Sequence, residues 1–116
     1  MKIEAQKNGP VMIVSVSGRL DTHTTGQFDE VMTPLAEAEK HLVIDFSNLE
    51  YISSAGLRSI LMTAKKVKEN QGSLALASLT QMVKDVFDMS GFGAIVRIYP
   101  DSPSACADMQ NPPVLP

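Results

Sequence analysis

The sequence predicts an α/β protein: a mixed, mostly parallel β-sheet, opened by an N-terminal β-hairpin and continued by βαβ units, with helices packed on it. Three observations carry this. Two strand-like runs, Lys2–Gln6 and Val11–Ser17, flank Lys7-Asn8-Gly9-Pro10, and Asn-Gly between such runs is the strongest short-range hairpin signal. Beyond them, short β-branched runs alternate with stretches whose apolar residues recur at helical spacing, the pattern of right-handed βαβ crossovers. Finally, 116 residues suit one domain with one core.

Taken in order, Lys2–Gln6 alternates weakly and Val11–Ser17 reads strongly as a strand. Pro10 belongs at a strand start or an edge, because it donates no ladder hydrogen bond. Gly18-Arg19-Leu20-Asp21 leaves the second strand. A first helix begins near Thr22–Thr25, where Thr24 and Gln27 have capping-box spacing; Phe28, Val31, Met32, Leu35 and Ala36 form its apolar stripe. Pro34 predicts a kink, or a helix that ends and restarts, since interior proline costs about 3 kcal/mol. His41, read as a surface residue, opens the third strand.

The centre of the chain is Leu42 to Val67. Leu42-Val43-Ile44-Asp45-Phe46 reads as a strand covered on both faces. Ser47-Asn48-Leu49-Glu50 carries turn formers and reads as a loop. Leu57, Ile60, Leu61, Ala64 and Val67 then share one helix face, and Ser53 or Ser54 is the N-cap. Asn70-Gln71-Gly72 is the stop, with Gly72 free to adopt positive φ.

Ser73–Ala77 reads as the next strand. Thr80–Met89 reads as a helix with Met82, Val83, Val86 and Phe87 apolar, stopped by Ser90-Gly91. Gly93–Tyr99 is the last strand. Asp101-Ser102-Pro103 starts a short helix, with Pro103 at its first position and only Ala105, Cys106 and Met109 as an apolar face.

This order puts two hydroxyls at a helix N-terminus beyond the C-terminal end of a strand, the edge where open α/β sheets build sites. Free N–H groups and the positive helix end favour an anion there. Serine is also a commonplace cap. The residues alone therefore leave two readings open: both serines only cap, or one carries a modification.

The segment DFSNLEYISSAGLRSIL, at 45–61, resembles the signature of the STAS domain in its single-domain form, the bacterial anti-sigma-factor antagonist. In that family a strand ending D-[FL]-S leads into [DS]-S-[SAT]-G-L and a helix. Ser53 stands where many members have Asp, and Ala55 where many have Ser or Thr. GRLD at 18–21 and VFDMSGF at 86–92 also look like family segments, so the resemblance runs from about residue 3 to residue 100.

The resemblance implies the STAS fold over residues 1–110, and phosphorylation on Ser54. It implies two partners, an ATP-binding anti-sigma serine kinase and a metal-dependent serine phosphatase. Unphosphorylated antagonist binds the kinase, phosphorylation ends the binding, and the phosphatase restores it. The expected partner surface is Ser53, Ser54, Gly56, Leu57 and Arg58, with Asp21, Thr22 and His23 alongside at the same sheet edge. No cofactor, no metal and no enzyme activity are implied. An alternative is a STAS scaffold without phosphorylation, for instance a subunit serving a lipid transporter.

Composition narrows the classes. The net charge is −3 and the pI about 5.2, which argues against a broad basic nucleic-acid surface. Lys65, Lys66 and Lys68 read as a solvated helix face. A lone Cys106 makes no internal disulfide. No signal-peptide core and no apolar run near 18 residues is present, so a cytoplasmic protein without membrane contact is expected. The proline-rich end, residues 111–116, reads as a frayed tail.

Catalytic patterns are lacking. There is no GxSxG elbow, no GxxxxGK[ST] loop and no GxGxxG. His23 and His41 lack ligand spacing and read as plain polar residues. Asp45 ends the third strand, where a response-regulator receiver carries its phospho-acceptor. A receiver also needs an acidic pair for Mg²⁺ and a lysine after the fifth strand. Asp21 has no acidic neighbour here, and Tyr99-Pro100 stands at the lysine position. Asp45 is therefore read as structural or as a cap of its loop.

Overall fold

The structure, a computed structural model, describes residues 1–110; the proline-rich tail over residues 111–116 lies outside the described residues. The elements are β1 (Lys2–Asn8), β2 (Val11–Leu20), α1 (Thr25–Ala38), β3 (His41–Ile52), α2 (Ser54–Glu69), β4 (Ser73–Ala77), α3 (Gln81–Ser90), a 3₁₀ turn (Phe92–Ala94), β5 (Arg97–Tyr99) and α4 (Ser102–Gln110). One five-stranded sheet has the order β1-β2-β3-β4-β5. β1 and β2 are antiparallel and every other pairing is parallel, as the hairpin and crossover signals predict.

Alternation along the strands divides the sheet into two faces. Val14, Val16, Leu42, Ile44, Phe46, Leu74 and Leu76 meet Phe28, Met32, Ile60, Val67, Val83 and Phe87 from α1, α2 and α3. Val11, Val43, Ala75 and Ala77 meet Ala105 and Cys106 of α4 on the other side. The small strand residues on that side let α4 lie close. Phe28, Phe46 and Phe87 are fully buried, each contributing on the order of 1.5–3 kcal/mol of apolar transfer energy.

Several local expectations are corrected. The hairpin turn is Gly9-Pro10, with Gly9 at φ 60° and Asn8 paired to Val11. Ser47-Asn48-Leu49-Glu50 is strand, not loop. β2 continues through Gly18-Arg19-Leu20 and offers these residues a partner in which Ser17 faces Asn48 and Gly18 faces Leu49. Two register shifts absorb the turn formers, and Leu49 is buried. The ladder thus overrides local propensity.

Helix α1 runs through Pro34 without ending. Thr24 is its N-cap but caps nothing with its side chain. Its hydroxyl donates instead to the Arg19 carbonyl at 2.8 Å and accepts from Asp21 N–H at 2.9 Å, while Gln27 donates to the Met1 carbonyl. Gly72 does not take positive φ; Gln71 does, at 61°. A β-carbon on Gly72 would lie 2.6 Å from the Lys40 carbonyl oxygen, so this glycine is needed for close approach.

Thr80 caps α3, and Gly91 closes it at φ 79°. Met82 is exposed, whereas Val83 and Phe87 carry the buried face. The last strand is only Arg97–Tyr99, because Phe92–Ala94 turns and Ile95 N–H bonds back to the Phe92 carbonyl. Asp101 caps α4 by accepting from Ser104 N–H at 2.7 Å; Ser102 is its first residue and Pro103 follows. His41 is half-buried, its Nδ1 3.0 Å from Ser73 Oγ.

Candidate functional site

The site grows from the place where β2 and β3 end together. Leu20 pairs with Ile52, and Ser53 N–H donates to the Leu20 carbonyl at 2.9 Å. The same carbonyl oxygen would stand 2.7 Å from a β-carbon on Gly56, and Ile52 Cγ1 would stand 2.9 Å from it. Gly56 therefore lets the first turn of α2 settle against the end of β2. Asp21, Thr22 and His23 follow Leu20 directly. The two segments predicted to share an edge do share it.

The two serines have different states. Ser53 is the N-cap: it is half-buried, extended (φ −94°, ψ 174°), and its Oγ accepts from Gly56 N–H at 3.2 Å. Ser54 is the first residue of α2 and is exposed. Among the described residues its hydroxyl makes no hydrogen bond. It stands beside unsatisfied N–H groups at the positive end of a helix of 16 residues.

A groove of about 270 Å³ opens beside it, lined by Ser54, Leu57, Arg58, Leu61, Ser90 and Phe92. Leu57 and Gly56 are buried, so Leu57 forms floor while Arg58 is exposed at the rim. Ser90 and Phe92 were not singled out as site residues from the sequence. They lie in VFDMSGF, noted there only as a family segment; their approach to α2 depends on how α3 packs.

The second segment is an ordered turn. Asp21 Oδ1 accepts from His23 N–H at 2.9 Å, and Asp21 N–H donates to the Thr24 hydroxyl. The His23 N–H bond holds the Asp21 carboxyl below its ordinary value; burial, next in size, opposes it, and the Thr24 hydroxyl and neighbouring charge add to the lowering. Thr22 and His23 are exposed. Arg19 reaches Asp21 at 3.6 Å and lies over the Tyr51 ring at 4.3 Å. This cross-strand pair also escaped the sequence reading, because it depends on the register shift that sets Arg19 opposite Tyr51.

Asp45 lies apart from this edge site. Its Oδ1 accepts from Ser47 N–H at 2.8 Å and its Oδ2 accepts from the Ser102 hydroxyl. It braces the bulged strand and the start of α4, the structural role expected of it. Among the described residues no helix is long and apolar enough to cross a membrane, and no group of three His, Cys, Asp or Glu residues could hold a metal ion.

The family model described as STAS domain matches residues 2–105. An anti-sigma F factor antagonist of Paenibacillus polymyxa is 30% identical, over 95% of this chain and 96% of its own. An anti-sigma-B factor antagonist of Bacillus subtilis is 30% identical, over 84% of this chain and 90% of its own. The crystal structure of an anti-sigma factor antagonist from Mycobacterium paratuberculosis superposes with a TM-score of 0.85 at 23% identity, covering 94% of this chain and 93% of that one.

Proposed function

This chain belongs to the STAS domain family, and we propose that within it the protein is an anti-sigma factor antagonist that switches partners through phosphorylation of Ser54. The relatives' names support the role. The observation that carries the site is the division of labour between the serines. Ser53 spends its hydroxyl on the helix, whereas Ser54 presents an exposed, unbonded hydroxyl.

The proposed cycle needs no catalysis by this chain. An anti-sigma factor that is also a serine kinase brings Mg-ATP, and Ser54 Oγ attacks the γ-phosphorus. The phosphorus–oxygen bond to ADP breaks, and the hydroxyl proton leaves to the kinase's base. The unphosphorylated protein holds the kinase through Ser53 to Arg58 and Asp21 to His23. Phosphate adds about −1.5 to −2 charges where the partner met a neutral hydroxyl, and an unmatched interfacial charge costs several kcal/mol. A serine phosphatase resets the switch.

The test uses the cognate kinase and Mg-ATP. One phosphate on Ser54, and loss of kinase binding with it by calorimetric titration, is the expected result. Equal affinity for both forms would point to a STAS scaffold that is not switched.

A further inference from the structure

We propose that Arg58 is the internal receptor for the phosphate carried by Ser54, and that the arginine–phosphate pair fills the groove that the unphosphorylated protein leaves open to its partner. This rests on Ser54 as the acceptor, and it concerns what the phosphate does once there.

Arg58 lies one helical turn after Ser54 on α2, and both line the same groove. Residues so spaced on a helix have Cβ atoms about 5–6 Å apart, within reach of an arginine fork and a phosphate. The order is also the favourable one, anion N-terminal to cation. Among the described residues Arg58 is the only charged side chain lining the groove, and no carboxylate there competes for its guanidinium.

The arginine is available. Of the three in the chain, Arg19 is held by Asp21 and Tyr51, and Arg97 by Asp108. Among the described residues Arg58 has neither ion pair nor hydrogen bond. A planar guanidinium donates two parallel N–H bonds to phosphate oxygens, a geometry lysine cannot offer. Swinging toward Ser54, it would lie across a slot whose other walls are Leu57, Leu61 and Phe92. The phosphate would thus act in two ways at once. It would place charge at the rim, and it would draw Arg58 over an apolar recess open to a partner side chain.

The experiment installs phosphoserine at position 54 by codon reassignment, so that it needs no kinase, in wild-type, Arg58→Gln and Arg58→Lys proteins. Phosphorus NMR then follows the second phosphate ionisation, ordinarily near 6. In the wild type it should lie lower than in Arg58→Gln by about half a pH unit or more, with Arg58→Lys between. Amide spectra of phosphorylated against unphosphorylated protein should show shifts reaching Ser90 and Phe92 in the wild type, but confined to the first turn of α2 in Arg58→Gln. Identical phosphate titrations in wild type and Arg58→Gln would overturn the proposal. Should the kinase turn out to modify another residue, the functional reading fails, while this titration still decides for or against Arg58.

Discussion

The carbonyl oxygen of Leu20 lies 2.7 Å from the point where a β-carbon on Gly56 would stand. That contact joins the end of β2 to the first turn of α2, and it fixes how the Asp21 turn and Ser54 share one edge. Its obstacle is backbone, which yields less readily than a side chain.

Gly56→Ala should therefore destabilise the protein by about 1–3 kcal/mol, although alanine is intrinsically better in a helix by nearly 1 kcal/mol. Gly26, in the first turn of α1, has nothing within 4 Å of its would-be β-carbon, and Gly26→Ala should stabilise by a few tenths to about 1 kcal/mol. Urea midpoints of both variants check the pair. A neutral Gly56→Ala would mean that the two segments are not locked together.

The serines should separate by readout. Ser53→Ala removes the cap and should cost about 0.5–2 kcal/mol, yet leave phosphorylation on Ser54. Ser54→Ala should leave the melt nearly unchanged, still bind the kinase and take no phosphate. Ser54→Asp should fold normally and bind weakly. Peptide mass spectrometry with thermal melts decides, and phosphate retained by Ser54→Ala protein would place the acceptor elsewhere.

The Asp21 turn should weaken in acid. Its carboxyl titrates below the ordinary 3.8 in the folded protein, held down first by the His23 N–H. Stability carried by the ionised form is thus fully present above 3.8 and lost as pH falls below it through the lowered folded value. The difference in melting temperature between wild type and Asp21→Asn should be seen at neutral pH and vanish in strong acid. A difference that grows on acidification would contradict the assignment.

The α2–β4 link carries a left-handed non-glycine, Gln71, beside a glycine that is not left-handed. Left-handed backbone costs an ordinary residue about 1–2 kcal/mol. Gln71→Gly gives back part of this in unfolded-state entropy, so it should stabilise by up to about 1 kcal/mol. Gly72→Ala, facing the Lys40 carbonyl, should destabilise by about 1–3 kcal/mol. Equilibrium unfolding of both variants is the check.

Asp45→Ala should loosen α4, because it removes the partner of the Ser102 hydroxyl at the start of that helix and leaves the exposed Ser47 N–H to water, at about 0.5–1.5 kcal/mol per lost hydrogen bond. Cys106, buried at 3% exposure under that helix, then reports the opening. Its reaction with a thiol reagent should accelerate in the variant and stay slow in the wild type.

The sequence was most legible where local rules and tertiary context agree. Asn8-Gly9 announced the hairpin, the Leu57–Val67 periodicity announced α2, and Ser53-Ser54 announced its start. It failed where a distant partner decides. Ser47-Asn48-Leu49-Glu50 has turn chemistry, and only pairing with β2 makes it strand. Gly72 looked like a helix terminator, but its role is set by the Lys40 carbonyl. Met82 fitted the helical stripe and is exposed nonetheless. The Ser54 edge followed from topology, whereas Ser90 and Phe92 enter the groove through packing, which spacing along one helix does not report.

The strands lie in the sheet in the order in which they occur in the chain. Each new strand therefore joins an edge that the previous one left free, and none has to be threaded between two neighbours already bonded. During synthesis the hairpin can close first, β3 can add once α1 has emerged, and α2 then completes the edge that carries Ser54 before β4, α3, β5 and α4 exist. Each parallel pairing joins residues 22 to 32 positions apart rather than distant ends of the chain, which limits the closure entropy of each step. The last strand to arrive is the shortest, with three residues. A ribosome-stalled chain ending just after α2 would already contain every residue of the Asp21 and Ser54 segments, whereas the groove beside Ser54 is completed only when Ser90 and Phe92 follow.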